Sequence, residues 1–203
     1  MLPKKRLPAE ERKKQILRSA VAVFAQSNYR GAKVADIAAA AGISEAALYK
    51  YFPSKKAIFL EILRHMSERI ILMWQKEASR EPDALKVLHN MGTLYFNRMT
   101  RHPQELKVHF QAVSEIDDPD IAAQLRLDHT RYVRFISGVI EKGIRQGVVR
   151  RNADVQMAAW IYNGMGITMN MAKLLSFDQV FNEDRVGRIV DFIIASIKLE
   201  TRN

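Results

Sequence analysis

The sequence predicts an all-α protein of about nine helices, in which an N-terminal three-helix helix-turn-helix domain precedes an all-helical domain. Every long segment of the 203-residue chain repeats its apolar residues with the helical period, and no segment alternates as a half-buried strand would. Capping residues, glycine and proline punctuate the chain where the periodic segments stop. Apolar residues make up 48% of the chain, which is enough for a folded core.

The first helix is predicted from Pro8 to Ser27. Ile16, Ala20 and Phe24 recur with helical spacing and form an apolar stripe along it. The segment from Asn28 to Gly31 is rich in turn-forming residues and is expected to end the helix.

Two short helices and a long one are predicted next. The second helix covers about Val34 to Ala41 and is stopped by Gly42. Ser44 can then cap the third helix, about Glu45 to Tyr51, because its hydroxyl can accept a hydrogen bond from a backbone amide of the first turn. A fourth, much longer helix is expected from about Lys55 to Arg80.

Five further helices are predicted beyond Pro82. They cover Asp83–Arg101, Pro103–Ser114, Pro119–Gln146, Ala153–Leu175 and Asn182–Glu200. Asp118 followed by proline marks a helix start, and Gly147 marks a left-handed stop. Either Asn152 or Asp154 caps the eighth helix. The expected division is a DNA-binding domain at residues 1–54, with the start of the fourth helix at 55–60 attached to it, and a second domain at residues 55–203.

Charge and composition narrow the classes of function. Residues 1–60 contain twelve Lys and Arg against four Asp and Glu, so this part holds most of the net charge of +10. A concentrated positive field favours a polyanionic partner, although a merely solvated basic surface is the alternative. The chain has no cysteine, which excludes disulfides and fits a cytoplasmic location. The uncharged segment 155–172 contains several polar residues, so it is interpreted as a buried helix rather than a membrane span.

The pair of short helices has the layout of a DNA-reading unit. Residues 33–52 place two helices around the turn Gly42-Ile43-Ser44. The second of them is too short to be stable alone, so it depends on packing behind it and leaves its outer face free. Such a face can enter the major groove of double-stranded DNA. A three-helix bundle without this role could contain the same turn.

The segment Gly42-Ile43-Ser44, Leu48-Tyr49-Lys50-Tyr51-Phe52, Ser54-Lys55-Lys56 and Ile58-Phe59 resembles the signature of the tetracycline-repressor (TetR) family. The segment from Val34 to Ala38 and the first helix also match. The resemblance is close over the first sixty residues, and beyond them it extends only to the number and length of the helices. It implies a transcriptional regulator that binds DNA as a homodimer and responds to a small molecule.

The resemblance implies a set of DNA contacts. It aligns Tyr49, Tyr51 and Lys55 with phosphate-contacting positions, although Tyr49 could instead be a core aromatic. Lys50 and Glu45 occupy variable base-reading positions, with solvated surface charge as the alternative. Lys33 replaces the capping Thr or Ser that the family favours. The predicted DNA-binding set is Lys33, Val34, Ser44, Glu45, Ala46, Ala47, Tyr49, Lys50, Tyr51 and Lys55.

The second domain carries the residues expected to bind an effector and to form a dimer. Methionine and aromatic side chains suit an adaptable apolar pocket, although at helical spacing they could equally be plain core. The predicted pocket residues are Met66, Trp74, Tyr95, Phe96, Met99, His109, Phe110, Met165 and Met169. Two apolar helix faces predict the dimer interface. Its residues are Trp160, Ile161, Gly164, Ile167, Thr168, Val186, Ile189, Val190, Ile193 and Ile197.

The resulting hypothesis is a cytoplasmic repressor that binds a palindromic operator as a homodimer and is released by a small, lipophilic effector. A transcriptional activator and an architectural DNA-binding protein without a ligand are the alternatives. An enzyme is not expected, because the histidines at 65, 89, 102, 109 and 129 lack metal-ligand spacing and Gly164-Met165-Gly166 is not followed by a phosphate-loop pattern. No cofactor, metal or membrane partner is predicted.

Overall fold

The computed structural model describes residues 8–177 and 179–199, and these residues form nine α-helices. The helices are α1 (Ala9–Gly31), α2 (Val34–Ala40), α3 (Glu45–Tyr49), α4 (Lys55–Arg80), α5 (Ala84–Arg101), α6 (Pro103–Ser114), α7 (Pro119–Arg145), α8 (Val155–Leu174) and α9 (Glu183–Ile197). One isolated antiparallel bridge joins Val149 and Lys198. The all-α prediction is confirmed.

The described residues divide into two compact units. The first unit contains residues 8–66 and 107–125, and the second contains residues 67–106 and 126–199. Helices α4, α6 and α7 each contribute residues to both units. The first unit therefore includes more than the three N-terminal helices, and the functional boundary expected after residue 54 stays a prediction.

Local capping accounts for most of the helix boundaries. Gly42 and Gly147 have positive φ angles of 65° and 71°, which is the left-handed stop expected at both positions. The Ser44 hydroxyl accepts a hydrogen bond from the amide of Ala47 at 3.2 Å. Asp154 accepts one from the amide of Met157 at 2.9 Å, so Asp154 rather than Asn152 caps α8.

Helix α1 continues further than predicted. Asn28 interrupts it with φ 57° and ψ 175°, at the position where a break was expected. The Asn28 side chain then accepts a hydrogen bond from the amide of Gly31 at 2.8 Å, so one more helical turn forms after the break. Helix α9 ends earlier than predicted, at Ile197, because Lys198 is extended and pairs with Val149. Its predicted last residue, Glu200, lies outside the described residues.

Each unit has its own apolar core. In the first unit, Phe24 and Phe59 are fully buried and meet edge to face with ring centroids 5.2 Å apart. Tyr29 completes this aromatic cluster, with its centroid 4.4 Å from that of Phe59. In the second unit, Trp74 lies among other aromatic rings and its indole N–H donates to the carbonyl of Met91 at 3.2 Å. The two cores hold in place the residues of the candidate functional sites.

Candidate functional site

Helix α3 presents one polar face to solvent and buries the other. Leu48 is fully buried, whereas Glu45, Ala46, Tyr49 and Lys50 are exposed. Tyr49 is 48% exposed, so it does not occupy the core position that was its alternative. The exposed set combines a carboxylate, an ammonium and a phenol, which are groups that can hydrogen-bond to base edges and phosphates.

The buried side of α3 is held by the helices behind it. Leu48 packs in one cluster with Ile37 and Ala38 of α2. Gln15 of α1 donates a hydrogen bond to the carbonyl of Ala41 at 3.0 Å, next to the turn between α2 and α3. A five-residue helix would not persist alone, so these contacts set its orientation.

The remaining residues predicted to contact DNA differ in accessibility. Lys33 is exposed, extended and makes no side-chain cap to α2, as its sequence departure suggested. Ala47 is half-buried, and the Ser44 hydroxyl is engaged in capping α3. Val34 and Tyr51 are half-buried and pack partly against the core of the first unit. Their role in DNA binding stays a prediction.

Lys55 has a set of partners that the sequence did not reveal. Its ammonium donates to the carbonyls of Tyr29 at 2.8 Å, Arg30 at 3.2 Å and Ala32 at 3.0 Å. It also lies 4.8 Å from the centroid of the Tyr29 ring. These carbonyls belong to the end of α1, where backbone acceptors lack helical partners and the helix dipole is negative. A phosphate contact by Lys55 would compete with these three hydrogen bonds.

We expect Lys55→Met to lower the stability of the protein and to leave its phosphate contacts unchanged. Removing a charged donor from three carbonyls should cost about 1–3 kcal/mol and lower the melting temperature. The slope of operator affinity against salt concentration should stay at the parent value. Lys50→Met, which removes an exposed lysine from α3, is the matched control and should leave the melting temperature unchanged. A reduced salt slope with an unchanged melting temperature would instead assign Lys55 to a phosphate.

Two other basic side chains of the first unit are paired with acidic residues in the segment between α6 and α7 and in the first turn of α7. Arg30 contacts Glu115 at 2.8 Å, and Lys56 contacts Asp120 at 2.6 Å and Asp118 at 3.2 Å. Burial favours a higher pKa for Asp118, but hydrogen bonds from Lys56 and from two backbone amides outweigh it and lower that pKa. These pairs partly neutralise the charges of Arg30 and Lys56, whereas the side chains of Lys33 and Lys50 remain exposed.

The residues predicted to line an effector pocket are divided between the two units. Met66, His109 and Phe110 belong to the first unit, and Met66 is part of its core. The others belong to the second unit, where Met99, Met165, Met169 and Trp74 are buried and Tyr95 and Phe96 are half-buried. Trp74 packs against Tyr132, which the sequence analysis missed, with ring centroids 5.6 Å apart.

Buried polar side chains also lie in the second unit and were missed as site residues. Asn163 and Asn170 are buried on α8, seven residues apart and therefore on one helix face. The side chain of Asn163 lies 3.1 Å from Nδ1 of His129, and that of Asn170 lies 2.6 Å from the Tyr95 hydroxyl. The signal for them was present in the sequence, because both asparagines lie in the largely apolar segment 155–172, which carries no charge.

His129 should make stability depend on pH. Burial lowers the pKa of His129, and the hydrogen bond with Asn163 only partly opposes this effect. The folded state therefore binds the proton less readily than the unfolded state, so stability is lost as pH falls below the ordinary histidine value of about 6.5. We expect the melting temperature of His129→Gln to fall less than that of the parent protein when the pH is lowered from about 7.5 to about 5.5. Identical losses in both proteins would contradict this assignment.

The structure corrects the expected dimer interface on α9. Val186, Val190, Ile193 and Ile197 are buried in the core of their own chain, so they cannot supply a surface. Of the α9 positions predicted, only Ile189 is half-exposed. The exposed apolar residue of this helix is Phe192, which is 79% exposed and was not predicted.

The interface expectation on α8 agrees with an exposed apolar face. Trp160, Ile161, Ile167 and Thr168 are exposed, and Gly164 is half-exposed. Met157 and Met171 extend the same face along the helix, and both are exposed. The term α8 face denotes the residues Met157, Trp160, Ile161, Gly164, Ile167, Thr168 and Met171. An apolar helix face of this length is typical of a protein-protein interface.

Within residues 8–177 and 179–199, no group of three or more histidine, aspartate or glutamate side chains could hold a metal ion. None of the helices in these ranges has the length and apolar content needed to cross a membrane.

Comparison with known proteins identifies similar regulatory proteins. Residues 16–62 match the family model for bacterial regulatory proteins of the tetR family. The chain is 26% identical over 147 residues to the HTH-type transcriptional repressor KstR2 of Rhodococcus jostii, an alignment that covers 72% of each protein.

Solved structures share the fold. A regulator from Saccharomonospora viridis in complex with choline superposes with a TM-score of 0.81 at 25% identity, over 94% of this chain and all of that one. The regulator FadR of Bacillus subtilis in complex with stearoyl-CoA superposes with a TM-score of 0.79 at 19% identity, over 91% of this chain and 98% of that one.

Proposed function

Because the chain belongs to the TetR family of bacterial regulatory proteins, we propose that it is a repressor that binds a palindromic operator as a homodimer and dissociates when a small molecule binds its second unit. It is a ligand-responsive transcriptional regulator, and its partners are double-stranded DNA and an effector. We place it in the cytoplasm, where operator DNA is found. No catalytic role is assigned.

The observation that carries the DNA-binding role is the exposed face of α3. Glu45, Ala46, Tyr49 and Lys50 point outward while Leu48 anchors the helix. We assign base reading to Glu45 and Lys50 and phosphate contact to Tyr49 and Lys33. Lysine can donate to guanine and glutamate can accept from cytosine, whereas Ala46 can contact a thymine methyl group.

We infer a dimer from the geometry of a palindromic operator, which has two half-sites. Two recognition helices must lie about 34–36 Å apart to enter successive major grooves, so one chain reads only half an operator. We propose that the α8 face and Phe192 of α9 form the twofold interface, because both are apolar and exposed. A four-helix arrangement of two α8 and two α9 helices would bury these residues.

The effector is proposed to act through helices shared by both units. Helix α4 is continuous from Lys55, beside the end of α1, to the turns that carry Trp74. A lipophilic molecule inserted beside Trp74 would displace this part of α4 and alter the spacing of the two recognition helices. Ligand and operator would then bind antagonistically, with a reciprocal coupling of about 1–3 kcal/mol.

The experiment that tests this function begins with selection of genomic fragments by the purified protein. A palindromic sequence should be enriched, and it should be bound at least about a thousandfold more tightly than random DNA of the same length. Equal affinity for both would favour the architectural alternative. Deleting the gene should raise transcription from the selected sites, whereas a fall in transcription would indicate an activator.

The two exposed lysines should contribute differently to operator binding. We expect Lys33→Ala to reduce the slope of log affinity against log salt by about one unit per protomer, because Lys33 is assigned to a phosphate and releases its counterions. Lys50→Ala should lower operator affinity by about 1–3 kcal/mol, because Lys50 is assigned to a base edge. Lys50→Ala should in addition change the base preference within the half-site. Lys76→Ala, in the C-terminal half of α4, is the control and should change none of these quantities. An unaltered slope in the Lys33 variant would remove Lys33 from the interface.

A further inference from the structure

Helices α5 and α8 bring three polar side chains together inside the second unit. The Asn170 side chain is 4% exposed, and its Nδ2 lies 2.6 Å from the hydroxyl of Tyr95. The Oδ1 side of this buried amide has no hydrogen-bond partner within residues 8–177 and 179–199.

Arg98 lies one helical turn after Tyr95 on α5. Its Nη2 contacts a carboxylate oxygen of Glu105, which is itself buried at the start of α6. The Nε of Arg98 is buried and has no acceptor among the described residues. A buried donor without a partner costs free energy comparable to a lost hydrogen bond, and more for a charged group. The guanidinium of Arg98 thus contacts Glu105 through Nη2, and its Nε is able to donate a hydrogen bond to a ligand.

The hydroxyl of Tyr95 is a third donor in this cluster. Burial raises the pKa of Tyr95, with the Asn170 hydrogen bond and the charge of Arg98 acting in the opposite direction, so the phenol stays protonated at neutral pH. Because the hydroxyl oxygen accepts from Asn170, its own proton remains able to bind an oxygen atom. One O–H donor, on Tyr95, and one charged N–H donor, on Arg98, therefore lie one turn apart on the same helix.

The surroundings of this cluster are apolar and adaptable. The Trp74 ring centroid lies 6.3 Å from that of Tyr95. The Tyr95 ring lies beside Gly166 of α8, where a Cβ atom would be 3.4 Å from the ring, in ordinary van der Waals contact. Met165 and Met169 are buried in the same core, and methionine changes rotamer easily to make room for a ligand.

We propose that Arg98 and Tyr95 bind the carboxylate of an otherwise apolar effector, that Asn170 orients the Tyr95 hydroxyl, and that the hydrocarbon part of the effector lies among Trp74 and the methionines. Arg98 Nε and the Tyr95 hydroxyl donate to the carboxylate oxygens, while Asn170 Nδ2 continues to donate to the hydroxyl oxygen and so leaves the phenol proton free for the ligand. The inference rests on the proposed effector-binding role of the second unit. It names the chemical class of the ligand, which that role leaves open.

The test uses the full-length protein and probes matched in carbon skeleton. Octyl, dodecyl and 3-phenylpropyl compounds are each supplied as carboxylate, alcohol and trimethylammonium, and binding is measured by titration calorimetry. For at least one skeleton the carboxylate should bind about tenfold more tightly than its alcohol, the effect of one hydrogen bond to a charged group. The trimethylammonium compound should bind more weakly than both.

Two conservative variants locate the carboxylate. Tyr95→Phe removes one hydroxyl, and Arg98→Lys retains a positive charge for Glu105 but lacks the Nε donor. Each should reduce carboxylate affinity about tenfold and leave alcohol affinity unchanged. The control is Tyr162→Phe, which removes another buried hydroxyl of the second unit, one that donates to the carbonyl of Leu88. It should not alter the preference for carboxylate over alcohol.

The outcomes separate this inference from the proposed function. If no carboxylate binds, if alcohol or trimethylammonium probes bind as tightly, or if both variants keep the parent preference, the carboxylate site is wrong, whereas selective operator binding can still stand. If a carboxylate binds as described but leaves operator affinity unchanged, the site is supported and the release mechanism fails. Loss of selective operator binding in the parent protein would instead reject the proposed function.

Discussion

Ile161→Glu is expected to convert the dimer to a monomer and to lower operator affinity at least about a hundredfold. Ile161 is 53% exposed in the single chain and lies in the middle of the α8 face. In a twofold interface each substitution places two unpaired carboxylates against apolar surface, at a cost of about 3–5 kcal/mol for each buried charge without a partner. A monomer reads one half-site, so the contribution of the second recognition helix is lost as well.

Light scattering gives the molecular mass, and gel shift gives the affinity for the selected operator. The matched control is Leu72→Glu on α4, since Leu72 is 62% exposed and lies outside the α8 face. This variant should remain dimeric with parent affinity. If the parent protein is a monomer at micromolar concentration, or if Ile161→Glu stays dimeric, the α8 face is not the interface. Ile193→Glu would be uninformative here, because Ile193 is buried in its own chain and the charge would disrupt the fold.

The second large effect is expected at Phe59, whose replacement by alanine should cost about 3–5 kcal/mol of unfolding free energy. Phe59 is fully buried near the start of α4 and packs against Phe24 and Tyr29 of α1. Its loss leaves a cavity at the junction where Lys55 also binds the end of α1. Because α2 and α3 share this core, operator binding should fall together with stability.

Urea unfolding followed by circular dichroism measures this loss, and a lower denaturation midpoint at an unchanged slope would assign it to stability alone. Tyr49→Ala provides the opposite control. Tyr49 is an exposed aromatic residue on α3, so its removal should weaken operator binding and change stability by no more than about 0.5 kcal/mol. A small stability loss in Phe59→Ala, or a large one in Tyr49→Ala, would show that core and DNA surface have been misassigned.

The sequence by itself determined the features that depend on neighbouring residues. Ser44 caps α3, and Gly42 and Gly147 stop the helices before them, because capping and left-handed turns involve residues only a few positions apart. The bounds of α4 and α6 were predicted for the same reason. The exposed face of α3 also followed from spacing, since one buried residue, Leu48, orients a five-residue helix.

Tertiary structure decided which of several possible partners each side chain has. Periodicity predicted apolar faces on α8 and α9, but burial alone distinguishes Ile193, which packs inside the chain, from Phe192 and Ile161, which are exposed. Lys55 lies far along the chain from the carbonyls of α1 that it binds, so no local pattern could predict them. Asn170 could be noticed in the sequence as an amide in an uncharged segment, but its partner Tyr95 lies on another helix, so the contact between them could not be predicted.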